Sequence, residues 1–135
     1  MNIVIRKNMK KVMCFGTFDK LHEGHISYFK QSKKYGNYLI VVIARDINVE
    51  IIKRRKSFED ESKRFKNVKK AIEVDYVVFG GAINNKYDII RKLKPDVLCL
   101  GYDQGANLEE LKRQFNGEIL RMKPYKEETY KSSLM

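Results

Sequence analysis

Two histidines, the only ones in the chain, lie three residues apart at positions 22 and 25. They end the phrase Gly-Thr-Phe-Asp-Lys-Leu-His-Glu-Gly-His, residues 16–25. A strand-like apolar run precedes the phrase and a segment with helical periodicity follows it, so His22 and His25 are predicted to share one face of a helix's first turn. Unpaired backbone N–H groups and the positive end of the helix dipole favour an anion there. Imidazoles donate hydrogen bonds and can carry charge near neutral pH, so the pattern favours nucleotide phosphate chemistry.

Alternating strands and helices are predicted to position this phrase. Periodicity predicts strands at residues 11–15, 38–44, 74–79, 97–100 and 118–122, and helices at 23–35, 46–52 (a short helix or turn), 59–72, 86–93 and 108–115. In the third helix only a thin stripe of Phe65, Val68 and Ile72 can face a core. Strand–helix alternation requires right-handed crossovers, which predicts a single Rossmann-like α/β domain: a mainly parallel sheet of about five strands with helices on both faces.

The carboxyl ends of parallel strands meet at one edge of a sheet, where ligands bind. The loop that begins at Gly16, the stretch beyond Arg45 and the loop that begins at Gly101 are therefore expected on the same side of the domain. Far-apart segments of the chain would form one site.

Length and composition are consistent with one domain. The chain has 135 residues, of which 43% are hydrophobic, enough for a single core. Its longest apolar run, residues 38–44, is far below the ~18 residues of a membrane span, and the N-terminus lacks the apolar core of a signal peptide. We expect a soluble, cytoplasmic protein in which Cys14 and Cys99 are buried, reduced thiols.

The formal net charge of +11 calls for an anionic partner or a structural reason. Lysine and arginine cluster at residues 6–11, 53–56 and 63–70, so the positive field is patchy and attracts polyanions. Nucleic acid is one alternative partner. The other explanation is that most of these side chains solvate helix faces while a minority line a phosphate site.

The phrase at residues 16–25 resembles the signature of the cytidylyltransferase-like nucleotidyltransferases, which include glycerol-3-phosphate cytidylyltransferases, ADP-heptose-forming enzymes and archaeal FAD synthases. The resemblance extends from about residue 11 to residue 133. It implies a nucleotidyltransferase domain over residues 11–135, and residues 1–10 are expected to form a basic N-terminal extension or edge segment. Two shorter phrases, Ile-Ala-Arg-Asp at 43–46 and Gly-Tyr-Asp-Gln at 101–104, resemble those of archaeal FAD synthases.

The resemblance implies site residues one by one. Those expected to act in catalysis, by holding phosphates and stabilising the transition state, are His22, His25, Lys53 and Lys56. Those expected to bind the nucleotide are Gly16, Thr17, Phe18, Asp19, Gly24, Arg55, Arg64, Gly101, Asp103, Gln104, Ser132 and Ser133. No side chain is expected to bind a metal ion directly.

Structural roles are the alternatives for several of these residues. Thr17 and Asp19 could order their loop, Arg64 could form a surface salt bridge, and Asp103 could cap a helix. The basic residues of the 53–56 loop could be solvated surface charges. The sequence stops at Met135, soon after Ser132 and Ser133, so these two could belong to a tail.

We therefore expect a nucleotidyltransferase that joins a nucleoside monophosphate to a phosphate-bearing acceptor and releases pyrophosphate. Mg²⁺ is expected with the triphosphate, and the resemblance implies a homodimer. The two short phrases favour adenylyl transfer from ATP to FMN. The alternatives are CTP-dependent cytidylyl transfer to glycerol 3-phosphate or a related polar head group, and a catalytically inactive basic module that binds nucleotides or nucleic acid.

Overall fold

The computed structural model describes residues 9–82 and 86–125, and each predicted strand and helix is found there with ends shifted by at most a few residues. The strands are β1 (Lys11–Gly16), β2 (Tyr38–Ile43), β3 (Tyr76–Phe79), β4 (Val97–Leu100) and β5 (Glu118–Arg121). The helices are α1 (Glu23–Lys33), α2 (Asp46–Lys53), α3 (Glu61–Lys69), α4 (Asp88–Leu93) and α5 (Leu108–Gln114).

The strands form one five-stranded sheet in the order β3-β2-β1-β4-β5, and all four pairings are parallel. The prediction of a Rossmann-like α/β fold is confirmed. The chain builds outward from β1 to β3 on one side and then returns to place β4 and β5 on the other. The strand order therefore reverses between β1 and β4, the kind of position where open parallel sheets bind ligands.

Helices cover both faces of the sheet. On one face Val12 and Cys14 of β1 pack in a cluster with Phe29 of α1 and Val68 of α3. On the other face the neighbouring Met13 packs in a cluster that includes residues of α4 and α5. Because β1 is covered on both sides, its central residues are all apolar and fully buried.

The predicted helical stripe on α3 is wrong at one position. Val68 is fully buried and Phe65 packs against the core, but Ile72 is 91% exposed. The helix ends at Lys69, with Lys70 as its C-cap, so Ile72 no longer follows the helical repeat.

The predicted state of the two cysteines is confirmed. Cys14 and Cys99 are free and buried, and burial raises the pKa of both thiols, to about 11 for Cys99. Across residues 9–82 and 86–125, no helix combines the length and hydropathy that a bilayer span requires.

Candidate active site

The two histidines build the N-terminal cap of α1 together. His22 is the N-cap residue, and its Nδ1 accepts a hydrogen bond from the backbone N–H of Gly24 at 3.0 Å. His25 reaches back, and its Nδ1 accepts from the backbone N–H of His22 at 3.2 Å. The two rings stack with centroids 3.9 Å apart. The pair is therefore held by the helix start as one unit.

These contacts fix the tautomer that each ring adopts when it is neutral. A nitrogen that accepts a hydrogen bond carries no proton, so in the neutral form each imidazole has its proton on Nε2. Within the described residues no hydrogen bond involves either Nε2 atom. Each neutral ring thus keeps one N–H donor for a ligand.

The surroundings of His25 favour its neutral form. Burial and the neighbouring His22 lower its pKa to about 4. Asp19 opposes this shift, while Lys53 lowers the pKa and Asp103 raises it by smaller amounts. The same interactions place Lys53 and Asp103 within electrostatic range of the ring. Two predicted site residues far apart in sequence therefore approach the histidine pair.

The loop between β1 and α1 has an unusual backbone. Phe18 and Lys20 both have positive φ angles, 56° and 49°, which residues other than glycine rarely adopt. Phe18 is buried, with 4% exposure. Its ring makes a T-shaped contact with the His25 ring, with 5.4 Å between the centroids. A Cβ at Gly16 would lie 2.8 Å from that ring. Gly16 therefore leaves room for the Phe18 ring, and that ring packs against His25.

Asp19 ties this loop to a second one. Its carboxylate accepts hydrogen bonds from the backbone N–H groups of Phe58 (2.7 Å) and Glu59 (2.9 Å). Burial alone would raise the pKa of Asp19, but these two donors and nearby positive charges hold the pKa below its ordinary value. Both carboxylate oxygens are engaged, so the alternative in which Asp19 orders its loop fits the structure.

Arg64 lies inside the protein. Its guanidinium donates to the carbonyls of Thr17 and Ala44, both at 2.8 Å, and forms an ion pair with Asp46 at 2.7 Å. Its Nε also donates to the carbonyl of Glu59. The side chain is fully buried, so its ion pair is not the surface salt bridge considered as an alternative, and no face is left toward a nucleotide. Arg64 joins the exits of β1 and β2 to the start of α3.

Tyr28, on α1, bridges β1 and β4 where their pairing ends. The last pair of the ladder is Cys14 with Cys99. Just beyond it, the Tyr28 hydroxyl accepts from the backbone N–H of Phe15 at 3.3 Å and donates to the carbonyl of Cys99 at 2.5 Å. A side chain therefore satisfies backbone groups at the point where the strand order reverses.

The loop after β4 is hydrogen-bonded to the end of β1 at the same place. The Gln104 amide accepts from the backbone N–H of Gly101 at 3.0 Å and donates to the carbonyl of Phe15 at 3.2 Å. Arg121, at the end of β5, donates to the carbonyls of Gly101 and Gln104, both at 2.8 Å. The amide of Gln104 is thus used within the protein, while Asp103 is exposed.

The basic residues of the 53–56 loop are exposed. Lys53 closes α2 and is the one whose charge reaches His25. Lys56 lines a groove together with Asp46, Glu50 and Asp60. Lys53 acts on His25 through its charge, and among the described residues no hydrogen bond or ring contact joins Lys53, Arg55 or Lys56 to either histidine.

This arrangement suits the binding of a polyphosphate. The two Nε2–H groups, the N-terminus of α1 and the charge of Lys53 act in the same region, and Phe18 connects His25 to Tyr28 at the end of the β1–β4 pairing. Negative charge that develops on phosphoryl oxygens there would meet donors already in place.

The sequence profile of the family described as cytidylyltransferase-like matches residues 13–134. The chain belongs to the cytidylyltransferase-like family. Among its curated relatives, "FAD synthase" of Methanolacinia petrolearia is 37% identical over 93% of this chain and 86% of its own length. "FAD synthase" of Korarchaeum cryptofilum is 42% identical over 84% of this chain and 81% of its own length. The chain is thus a nucleotidyltransferase.

A solved structure supports the same assignment. The lipopolysaccharide core biosynthesis protein of Thermoplasma volcanium superposes with a TM-score of 0.80 at 35% identity. The alignment covers 87% of this chain and 98% of that protein. The shared fold therefore extends over nearly all of both chains.

Several long-range contacts of this cytidylyltransferase-like fold were not predicted from the sequence. Near the site, Tyr28 and Arg121 contact backbone groups far away in the chain. Elsewhere, Gln31 accepts from the backbone N–H of Lys123 at 2.8 Å and donates to its carbonyl at 2.9 Å. No local motif marks such contacts. Ser132 and Ser133 lie outside the described residues.

Proposed function

We propose that this protein transfers the adenylyl group of ATP to FMN, giving FAD and pyrophosphate. The observation that carries the proposal is the set of curated relatives named FAD synthase, which are 34–42% identical over 74–96% of this chain. The stacked histidine pair at the reversal of strand order supports it, because that is where a triphosphate would meet the most donors.

In this reaction a phosphate oxygen of FMN attacks the α-phosphorus of ATP. One P–O bond forms, and the bond between the α-phosphorus and the oxygen bridging to the β-phosphate breaks as pyrophosphate leaves. Negative charge spreads over the phosphoryl oxygens in the transition state, so the protein acts mainly by positioning and neutralising. We assign the Nε2–H groups of His22 and His25 to the α-phosphate oxygens.

The remaining predicted residues receive roles that match their placement. Lys53 neutralises charge on the reacting phosphates, and Arg55 and Lys56 follow it in the same exposed loop. The backbone around Thr17 and Gly24 approaches the phosphates, while the Gly101 loop with Asp103 receives the base and ribose. Phe18, Asp19, Arg64 and Gln104 are positioning residues, because their side chains are used inside the protein.

A divalent cation supplies charge neutralisation when it is bound with the triphosphate. Among residues 9–82 and 86–125, no three His, Cys, Asp or Glu side chains are grouped to hold a metal ion. The described residues therefore do not form a metal cage of their own, and we propose that Mg²⁺ is held chiefly by the phosphates of ATP.

We further propose that the protein works in the cytoplasm, where buried reduced thiols such as Cys14 and Cys99 persist, and that it forms a homodimer. Its partners would be a nucleoside triphosphate and a phosphate-bearing small molecule. We do not propose nucleic acid as the partner, although the charge of +11 makes it worth including in the test.

A substrate panel tests the proposal. ATP and CTP are each combined with FMN or glycerol 3-phosphate, and pyrophosphate release is measured together with product formation by chromatography. We expect pyrophosphate only with ATP and FMN, in equal amount to FAD. Turnover with CTP and glycerol 3-phosphate alone would instead identify a cytidylyltransferase. Absence of turnover with every pair, together with tight, salt-dependent oligonucleotide binding, would identify a binding module.

A further inference from the structure

A groove runs along α2 close to the candidate active site. Its wall is formed by Asp46 and Glu50 of the helix and by residues 56–58 and 60 of the following loop. The groove has a volume of about 500 Å³. That volume lies within the range of small-molecule sites, roughly 300–1,000 Å³.

The groove contains an aromatic ring that is held at the surface. Phe58 is 73% exposed, yet its backbone N–H is fixed by the Asp19 carboxylate at 2.7 Å. The ammonium group of Lys20 lies 3.9 Å from the centre of the Phe58 ring. A large apolar ring kept in place by polar contacts, rather than by burial, is a suitable stacking surface for a ligand.

The groove is connected to the histidine pair by two segments. Asp19, which anchors Phe58, belongs to the loop that leads into His22. On the other side, α2 forms the groove wall through Glu50 and ends at Lys53, whose charge reaches His25. A ligand lying in the groove could therefore extend a phosphate toward the two imidazoles.

We propose that this groove binds the planar isoalloxazine ring of the flavin acceptor, with Phe58 stacked against the ring. This inference rests on the function proposed above and adds the position of the acceptor. The isoalloxazine ring is flat and largely apolar, and one edge carries an N–H donor. Phe58 matches the flat face, and the carboxylates of Glu50 and Asp60 in the groove wall can accept from the N–H group.

The placement also separates the two substrates. The groove lies at the exit of β2, whereas the Gly101 loop lies at the exit of β4, on the opposite side of β1 in the sheet. The α-phosphate of ATP would sit between them, at the histidines. In-line displacement requires the FMN phosphate to enter opposite the leaving pyrophosphate, so the β- and γ-phosphates would point away from the groove.

The test uses Phe58→Ala, the conservative variant Phe58→Tyr, and Ile72→Ala as a matched control. Ile72 is also an exposed apolar residue, 91% exposed, and it contacts neither the groove nor the histidines. Binding of FMN is followed by the change in flavin fluorescence, and KM is measured for FMN and ATP separately. We expect Phe58→Ala to weaken FMN binding about tenfold, the usual loss of one stacking partner. Phe58→Tyr and Ile72→Ala should keep wild-type FMN binding, and KM for ATP should be unchanged in all three variants.

Several outcomes would overturn the inference. If the wild-type protein makes FAD but Phe58→Ala keeps the wild-type affinity for FMN, the ring does not lie on Phe58. If that variant keeps its FMN affinity but loses a dimeric state in analytical ultracentrifugation, the groove is an interface between copies. If Phe58→Ala does not fold, competition decides: lumichrome, the ring without its side chain, should displace FMN but not ATP, and failure to do so overturns the inference.

The outcomes also distinguish this inference from the proposed function. A wild-type protein that binds FMN through Phe58 but forms no FAD would keep the flavin groove and refute the adenylyl transfer. FAD formation that is insensitive to Phe58 would do the reverse. A protein that neither binds FMN nor forms FAD would refute both.

Discussion

His25 should stay neutral in the free protein well below neutral pH. Burial and the neighbouring His22 lower its pKa from 6.5 to about 4. Its Nδ1 also accepts the backbone N–H of His22, and protonation would turn that acceptor into a donor and break the cap. A change of pH therefore tests the assigned protonation directly.

The expected effect on stability follows from the two pKa values. Because the unfolded chain takes up this proton near pH 6.5 and the folded chain only near pH 4, the folded state loses stability as pH falls through this window. Above pH 6.5 the contribution is fully present, and below pH 4 it is lost. The pKa difference corresponds to roughly 3 kcal/mol, but His25 is only partly buried, so we expect about 1–2 kcal/mol in the free energy of unfolding.

Proton NMR of the imidazole rings measures the pKa, because the chain has only two histidines. The pKa is measured in the wild-type protein, because His22 is one of the groups that lower it. A His22→Asn variant, which keeps an N-cap side chain and a single ring, identifies the His25 signal in the wild-type spectrum. We expect this signal to remain that of a neutral ring at pH 5.5. Addition of an ATP analogue with a non-cleavable α,β linkage should raise the pKa, because the phosphate charge favours imidazolium.

Two controls frame the measurement. In urea the His25 signal should titrate near pH 6.5, as in an unfolded chain, and circular dichroism should show a folded protein at pH 5.5. A pKa of 6.5 or above in the folded, ligand-free protein would refute the assignment of neutral Nε2–H donors. The histidine pair would then act as a cationic clamp.

Three further predictions concern single residues. His22→Asn and His25→Gln keep side chains able to cap α1, but each should lower kcat about 10²–10³-fold by removing one Nε2–H donor; wild-type turnover in both would contradict the mechanism. Arg64→Met should lower the free energy of unfolding in urea by about 3–5 kcal/mol, because a carboxylate and three carbonyls each lose one donor, whereas the exposed Lys66→Met should change it little. Tyr28→Phe should lower the free energy of unfolding by about 1–3 kcal/mol, because the Phe15 N–H and the Cys99 carbonyl lose their partner. The exposed Tyr35→Phe is its control. Equal stability of the two variants would contradict the role given to Tyr28.

The fold was predictable because its main signals are local. The apolar run at residues 38–44 indicates a strand covered on both faces, and β2 is buried as expected. The alternation of strands and helices then leaves few topologies. Ile72 shows the limit of periodicity: its spacing from Val68 fits a helix, but the helix has already ended at Lys69.

The histidine pair was also predictable, because both the residues and the cap they form lie within four positions of each other. The roles of Arg64 and Gln104 were not. Arg64 meets Thr17 across 47 positions of sequence, and Gln104 meets Phe15 across 89. A motif can place such residues near a nucleotide, but it does not show that their donors are already used by the protein's own backbone.

The side-chain donors that the fold itself uses are not available to a ligand, so they determine which groups remain for catalysis. A loop that must hold a positive φ at Phe18 needs strong internal support, and Asp19, Arg64 and Gln104 supply polar contacts to it and to the neighbouring strand exits. Their side chains are therefore occupied before any ligand arrives. The Nδ1 atoms of both histidines are occupied in the same way, by the start of α1. What the fold leaves unpaired at this place is the Nε2 side of the two imidazoles, so the donors that support the chain and the donors offered to a phosphate are different atoms of the same rings.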